Sequence, residues 1–231
     1  MEDSSRAHTH RFFASCPGYL ESVLATEIGN IAGSSVAHVN ETSGGVYFEG
    51  TIEAAYRTCL WSRLASRVYY ELAGEWVEDK DGLYQLARSV PFEDFFSLEQ
   101  SFSVSGHSAH PAFRHSNLAS LVVKDAVADR FRAARGERPS VDPKHADVHI
   151  YVHVTKRKAS VYFDLCGESL HRRGYREKST EAPLRENTAA AVLIRAGWSQ
   201  ALAQWNAGTA SLPFLADPLC GSGTLAIEAA L

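Results

Sequence analysis

The residues best suited to bind a small anionic molecule lie together in one run, Asp217-Pro218-Leu219-Cys220-Gly221-Ser222-Gly223-Thr224. An apolar stretch, 212–216, precedes this run and an Ala-rich segment, 225–231, follows it, which predicts the strand, glycine loop and helix order of nucleotide-binding turns. Gly221 and Gly223 let the backbone approach a ligand closely, and helix N–H groups near Thr224 favour an anion such as an amino-acid carboxylate. The run is neither G-x-G-x-x-G nor a P-loop, which disfavours a dinucleotide or a nucleoside triphosphate.

A second set of residues could bind a polyanion. Residues 111–178 carry 14 Lys and Arg against 8 Asp and Glu, whereas residues 1–110 carry 7 against 15, within a chain of net charge -4. This basic block favours docking of an anionic polymer, although a solvated surface with chance charge segregation remains an alternative. The candidate phosphate contacts are Arg114, Lys124, Lys156, Arg157, Lys158, Arg172 and Arg173.

Metal binding is disfavoured. His149 and His153 lie on the polar face of a predicted strand with no third ligand nearby in sequence, which favours a solvated or RNA-facing role. Trp61, Tyr69 and Tyr70 are expected to pack in a core or at a domain interface rather than to stack on bases. No C-x-x-C pair occurs, so we expect four free thiols, at Cys16, Cys59, Cys166 and Cys220.

The first part of the chain has the element order βαββαβ, which is typical of a ferredoxin-like unit. The second helix is predicted from Ile52 to about Ala65, with Ala55, Tyr56, Leu60 and Leu64 on one stripe. The other predicted elements are strand 12–15, a helix from about 20 to 33, strands 36–39 and 46–48 joined by a hairpin, and strand 67–72.

An acidic, polar stretch, 75–82, is predicted to link this unit to a second one. The clearest helix there is 118–134, whose apolar residues recur every four positions at Ala119, Val123, Val127 and Phe131. The other predicted elements are helix 83–90, strand 101–105, neighbouring strands 148–154 and 159–165, a basic loop tip at 155–158, a helix through 188–196, a loop to 211 and a strand at 212–216.

The glycine loop resembles the first motif of class I S-adenosylmethionine-dependent methyltransferases, in the form found in RNA guanine-N2 methyltransferases that carry a THUMP domain. Further segments are similar to those of the bacterial large-subunit ribosomal RNA guanine-N2 methyltransferases of the RlmL type, and the similarity spans residues 11 to 231. These segments are 17–21 (PGYLE), 44–50 (GGVYFEG), 60–67 (LWSRLASR) and 169–176 (SLHRRGYR).

The resemblance implies an α+β fold with a ferredoxin-like unit at 11–72, a THUMP domain at 80–176 that binds structured ribosomal RNA, and the truncated start of a Rossmann-like α/β methyltransferase domain at 180–231. Segment 182–188 resembles the element that helps to close the cofactor pocket. The implied contacts with S-adenosylmethionine are Asp217, Pro218, Cys220, Gly221, Ser222, Gly223, Thr224 and Glu186.

One departure from the family bears on activity. The family's catalytic motif is N-P-P-[YF], and no Asn in this chain is followed by Pro. We therefore expect the isolated chain to be inactive. The polar N-terminus, 1–10, and the shortness of the apolar stretches predict a cytoplasmic location without a membrane segment, and we expect no metal. Two alternatives stay open: a stand-alone RNA-binding module with a vestigial cofactor loop, and a DNA adenine methyltransferase, against which the THUMP-like segment argues.

Overall fold

The structure is a computed structural model that describes residues 9–113, 117–156, 158–176 and 183–231. The chain divides into two compact units. The first combines Phe13–Val68 with Glu168–Leu231, and the second combines His10–Phe12 with Tyr69–Gly167. The predicted ferredoxin-like and methyltransferase segments therefore contribute to the same unit.

The first unit begins with the predicted βαββαβ order. Its elements are β1 (His10–Ser15), α1 (Glu21–Ala32), β2 (Val36–Thr42), β3 (Gly45–Gly50), α2 (Ile52–Trp61) and β4 (Arg67–Trp76). The strand order is β2-β3-β1-β4, and β1 and β4 also contribute residues to the second unit. The predicted hairpin is confirmed: β2 and β3 are antiparallel, with Thr42 opposite Gly45.

The predicted apolar stripe of α2 is wrong. Ala55 is buried, but Tyr56 is 51% exposed and Leu60 is 78% exposed, because α2 packs through the small residues Ala54, Ala55 and Thr58. The helix also ends at Trp61, four residues earlier than predicted. The Glu27 carboxylate accepts hydrogen bonds from the backbone amides of Arg63 and Leu64, so these amides have partners outside the helix.

The second unit consists of helices packed on a mixed sheet. Its further elements are α3 (Lys80–Ser89), β5 (Phe102–Ser108), α4 (Leu118–Arg135), β6 (Val148–Val154) and β7 (Lys158–Asp164). The strand order is β4-β7-β6-β5, in which β5 and β6 are parallel and the other pairs are antiparallel. The predicted stripe of α4 is confirmed, since Ala119, Val123, Val127 and Phe131 are buried in the core of this unit.

The predicted acidic linker is shorter than expected. Strand β4 continues to Trp76 because Glu75 and Trp76 pair with Ala159 and Lys158 of β7. Helix α3 already begins at Lys80, where the Asp79 carboxylate accepts a hydrogen bond of 2.8 Å from the Gly82 amide. An N-cap of this kind satisfies an amide that has no partner within the helix.

Three helices from the last part of the chain belong to the first unit: α5 (Glu186–Arg195), α6 (Trp198–Asn206) and α7 (Thr224–Ala230). Helix α6 occupies most of a segment predicted as a loop, because its Ala, Gln and Leu residues favour a helix and the glycines, Gly197 and Gly208, lie outside it. None of the described helices is long and apolar enough to cross a membrane.

The strand predicted at 212–216 is also wrong. These residues have no regular secondary structure, and no described strand pairs with them. A parallel strand needs neighbours on its hydrogen-bonding edges. Without such neighbours the apolar side chains are largely in solvent, with Phe214 89% exposed and Leu212 64% exposed.

Candidate functional site

The glycine loop folds as a series of tight turns that leads into α7. The Asp217 carboxylate accepts a hydrogen bond of 3.2 Å from the Leu219 amide, and the Gly223 amide donates to the Cys220 carbonyl over 2.7 Å. Gly221 and Gly223 have φ angles of 53° and 75°, in the left-handed region that favours glycine. The conformation therefore favours glycine at both positions.

The loop forms one wall of a small cavity of about 130 Å³. Pro183 and Leu184, from the segment before α5, form another wall. The lining contains five of the eight predicted cofactor residues, namely Asp217, Cys220, Gly221, Ser222 and Thr224. Pockets for whole small molecules usually measure about 300–1,000 Å³. The described residues therefore enclose room for only a part of such a ligand.

The other three predicted cofactor residues lie around this lining. Gly223 is the residue before α7, and the exposed Pro218 lies in the turn after Asp217. Glu186 is 6% exposed, and its carboxylate lies 3.5 Å from the Arg176 guanidinium. Arg176 also donates hydrogen bonds to Leu184 and Thr224, which line the cavity. Glu186 therefore contacts the site through Arg176.

Sequence reasoning missed Glu228, the most buried carboxylate at the site. Its side chain is fully buried in α7 and is held by three residues from elsewhere in the unit. Arg63 donates to it over 3.0 Å, the Tyr175 hydroxyl donates over 3.0 Å, and the Arg173 guanidinium lies 3.4 Å away. A single acidic residue in the otherwise apolar sequence 225–231 was the signal that could have identified it.

The environment of Glu228 keeps Tyr175 protonated. Burial raises the pKa of the Tyr175 hydroxyl, and the negative charge of Glu228 raises it further. At neutral pH the hydroxyl therefore remains a hydrogen-bond donor to the carboxylate. Arg63 additionally donates to the backbone carbonyl of Glu228, so α7 is held through both its side chain and its backbone.

The predicted RNA contacts have different environments. Lys156 and Arg172 are exposed, whereas Lys124 lies 3.1 Å from Asp125, and Lys158 lies 3.5 Å from Glu71. The Arg173 side chain is only 20% exposed, beside Glu228. Arg114 and Arg157 lie outside the described residues.

The histidines that we considered as metal ligands, and the aromatic residues that we considered for stacking on bases, have different surroundings. His149 shares a hydrogen bond of 2.8 Å with Ser103, and burial together with His107 lowers the pKa of His153. Tyr69 is buried and stacks on Tyr151 at 4.7 Å, but the expectation that Trp61 packs is wrong, since it is 71% exposed.

The cysteines are thiols, and Cys220 lines the cavity. None of the four forms a disulfide, as predicted. Within the described ranges, no three His, Cys, Asp or Glu side chains could hold a metal ion together. Burial, reinforced by Glu21, raises the pKa of the Cys16 thiol to about 12, so this thiol stays protonated at neutral pH.

Three family models match the chain in succession. They are the RlmL ferredoxin-like domain at residues 11–69, the THUMP domain at 77–164 and the RMKL-like methyltransferase domain at 173–231. The chain belongs to the RlmL-type family of THUMP-containing methyltransferases. The last model includes the glycine loop and α7, together with Arg173, Tyr175 and Arg176.

Curated relatives of this RlmL-type chain are named ribosomal RNA large subunit methyltransferase K/L. The relative from Syntrophotalea carbinolica is 44% identical over 221 residues, and the one from Allochromatium vinosum is 43% identical over 222 residues. Both matches cover 96% of this chain but only 30% and 29% of the relatives. The chain thus spans about three tenths of their length.

Solved methyltransferase structures have the same fold. A protein from Listeria monocytogenes described as an N6-adenine-specific DNA methylase is 26% identical, with a TM-score of 0.77. SMU.472, described as a methyltransferase complexed with SAH, is 26% identical, with a TM-score of 0.76. Each comparison covers 96% of this RlmL-type chain and 55% of the solved chain.

Proposed function

We propose that this chain supplies the RNA-binding domains and the first cofactor loop of an S-adenosylmethionine-dependent enzyme that methylates guanine N2 in 23S ribosomal RNA, in the cytoplasm. The observation that carries the proposal is the joint presence of a ferredoxin-like domain, a THUMP domain and a glycine loop that lines a small cavity of about 130 Å³. The domains would divide at residues 11–72, 80–176 and 180–231.

The loop fits one part of S-adenosylmethionine. A Cβ atom at Gly221 would meet only the Leu219 carbonyl oxygen, at 4.0 Å, and one at Gly223 would meet nothing within 4 Å. A ligand can therefore approach the loop backbone, and Ser222 can offer its hydroxyl. We assign the amino-acid end of the cofactor to this loop, where the bound cofactor would supply the electrophilic methyl group.

The chain by itself should transfer no methyl group. Methyl transfer requires the nucleophile to be aligned with the methyl carbon, and most of the acceleration comes from this positioning. In the family, the Asn of N-P-P-[YF] and an adjacent carbonyl accept hydrogen bonds from the exocyclic amine, and the aromatic residue stacks on a flipped base. No Asn-Pro pair exists in these 231 residues.

RNA binding by the THUMP domain should depend on phosphate contacts and RNA shape more than on sequence. Among the described candidates, Lys156 and Arg172 are exposed, whereas Lys124, Lys158 and Arg173 lie beside carboxylates. We propose that the two exposed residues contribute most of the phosphate contacts, whereas the carboxylates beside Lys124 and Lys158 already offset part of their charge.

The test is a double substitution, Lys156→Gln with Arg172→Gln, measured by fluorescence anisotropy with a structured 23S rRNA fragment. Loss of two phosphate contacts should raise Kd roughly tenfold and flatten the slope of log K against log salt by roughly 1 to 2. Lys80→Gln, at an exposed lysine outside the basic block, is the matched control and should change neither quantity.

Two results would contradict the proposal. An unchanged Kd and salt slope in the double variant would show that the basic residues do not contact RNA. Tighter binding to duplex DNA of the same length than to the RNA would instead favour the adenine-specific DNA methylase alternative, which the description of the Listeria protein raises.

A further inference from the structure

Helix α7 has two polar residues on one face, and a single chain segment contacts both. Thr224 and Glu228 are four residues apart, so their side chains lie on the same side of the helix. Arg173 and Tyr175 contact the Glu228 carboxylate, and the Arg176 guanidinium lies 3.2 Å from the Thr224 hydroxyl. Segment 173–176 therefore runs along this face, from the end of the helix towards the glycine loop.

Arg176 joins the two walls of the loop cavity. Its Nη2 donates to the Leu184 carbonyl over 2.7 Å on one wall and to Thr224 over 3.2 Å on the other. The same nitrogen lies 3.5 Å from the carboxylate of Glu186, the first residue of α5. Leu184 and Thr224 both line the cavity, but Arg176 does not. The separation of the walls therefore depends on a residue outside the lining.

Interactions outside α7 must determine its position. A helix of seven residues is too short to be stable by itself. A buried carboxylate such as Glu228 is tolerated only when charged or hydrogen-bonding groups surround it, and Arg63, Arg173 and Tyr175 provide them. At the start of the helix, Arg176 contacts the Thr224 hydroxyl, which also shares a hydrogen bond of 3.2 Å with Ser222 of the glycine loop.

We propose that Arg176 is a positioning residue for the cofactor site, supported by the Glu228 contacts at the other end of α7. It fixes the distance between the Leu184 wall and the glycine loop and thereby sets cofactor affinity without touching the cofactor. The inference rests on the proposed function, because it takes the cavity to be part of the S-adenosylmethionine site. It also gives Arg173 a role at the cofactor helix rather than at RNA.

The experiment compares Arg176→Gln with Arg130→Gln in the 231-residue chain. Arg130 is a suitable control because it also pairs with a largely buried glutamate, Glu93, at 2.9 Å, but lies in the second unit. Binding of S-adenosylhomocysteine is measured by calorimetry and thermal unfolding by circular dichroism. We expect Arg176→Gln to weaken binding at least tenfold and Arg130→Gln to leave binding unchanged.

Arg176→Lys separates positioning from a general loss of stability. An ammonium group can donate to the same acceptors but is carried on a shorter side chain than the guanidinium. The lysine variant should therefore recover part of the affinity that the glutamine variant loses. If Arg176→Gln lowers the Tm but binds S-adenosylhomocysteine as tightly as the wild type, the positioning role is refuted.

Amide hydrogen exchange without ligand distinguishes this inference from the proposed function. Arg176→Gln should speed exchange at the Leu219 and Gly223 amides about tenfold, whereas Arg130→Gln should not change it. If the wild-type chain binds no S-adenosylhomocysteine, the cofactor role of the loop fails in this chain, but faster loop exchange would still support positioning by Arg176. Unchanged exchange would overturn the inference whatever the ligand result.

Discussion

Charged residues of the same type have different surroundings along this chain. Arg172 is exposed to solvent, whereas its neighbour Arg173 is 20% exposed against the buried Glu228. The sequence shows both as basic residues in one block, and nothing in residue type separates them. Their roles differ because a buried carboxylate 55 positions later in the chain lies beside only one of them. A surface role and a structural role therefore occur side by side.

The pair formed by Glu93 and Arg130 should make stability depend on pH. Its hydrogen bonds with Arg130 lower the pKa of Glu93 below its ordinary value of 4.5. A lowered pKa contributes stability that is present above the unfolded pKa and is lost as pH falls through the folded pKa. Glu93→Gln should therefore cost roughly 1 kcal/mol at pH 7, and the difference from wild type should shrink below pH 4.5.

Urea unfolding of both proteins at pH 7 and at pH 3 measures this difference. Glu99→Gln, at an exposed position in the same region, is the control and should behave like wild type at both values. A Glu93→Gln penalty that is equal at the two pH values would show that the ion pair is not its source.

At the scale of elements, two glycines differ in the room that their surroundings leave for a side chain. A Cβ atom at Gly45 in β3 would overlap the Ala14 carbonyl oxygen and the Phe13 ring, whereas one at Gly29 in α1 would meet nothing within 4 Å. Gly45→Ala should therefore destabilise the chain by about 3 kcal/mol. Gly29→Ala should stabilise it by about 0.5–1 kcal/mol, because alanine restricts the unfolded chain and favours a helix.

Thermal unfolding of both variants tests whether the same change, glycine to alanine, destabilises one position and stabilises the other. The structure predicts a lower Tm for Gly45→Ala and a higher Tm for Gly29→Ala. A Gly45→Ala protein with wild-type Tm would show that β3 and β1 do not approach as closely as described.

Local sequence patterns predicted the elements well where the hydrophobic periodicity was strong. They predicted poorly where contacts with other elements determine which face is buried or whether a strand forms. The stripe of α4 from Ala119 to Phe131 and the alternation in β6 were both sufficient to predict buried faces. In α2 the larger residues Tyr56 and Leu60 suggested the wrong face, because the neighbouring elements leave room only for alanine and threonine. Residues 212–216 are apolar enough for a strand, but a strand also needs partners.

From the residues alone, the candidate site was predictable only in its covalently continuous part, whereas Glu186 was predicted from the family resemblance. The glycine loop could be identified because its chemistry is contained in eight adjacent residues. Arg176 and Glu228 could not, since their importance arises from contacts across 48 and 165 positions in the chain. Long-range contacts of this kind leave no spacing pattern in a single sequence.

At the scale of the whole molecule, the two compact units do not follow the order of the domains along the chain. The ferredoxin-like residues 13–68 belong to the same unit as residues 168–231, and the THUMP residues form most of the other. Arg63 from the first segment and Glu228 from the second are joined in that unit. Helix α7 is thus held by a residue of the ferredoxin-like segment as well as by residues from the last part of the chain.

The isolated chain should be catalytically silent. With labelled S-adenosylmethionine and 23S rRNA, the purified 231 residues should give no methyl incorporation above a control without protein, because their sequence lacks the N-P-P-[YF] motif that orients the guanine amine in the family. Incorporation into rRNA that depends on the glycine loop, and is lost in a Gly221→Val variant, would contradict this account of the site.

The central claim is that the protein serves guanine-N2 methylation of 23S rRNA. The most direct measurement is quantification of N2-methylguanosine in 23S rRNA from cells that lack the full-length gene whose product includes this chain, by nuclease digestion and mass spectrometry. The account predicts the loss of N2-methylguanosine from a defined position, restored by the wild-type gene but not by one carrying Gly221→Val and Gly223→Val. An unchanged N2-methylguanosine content in the deletion strain would contradict it.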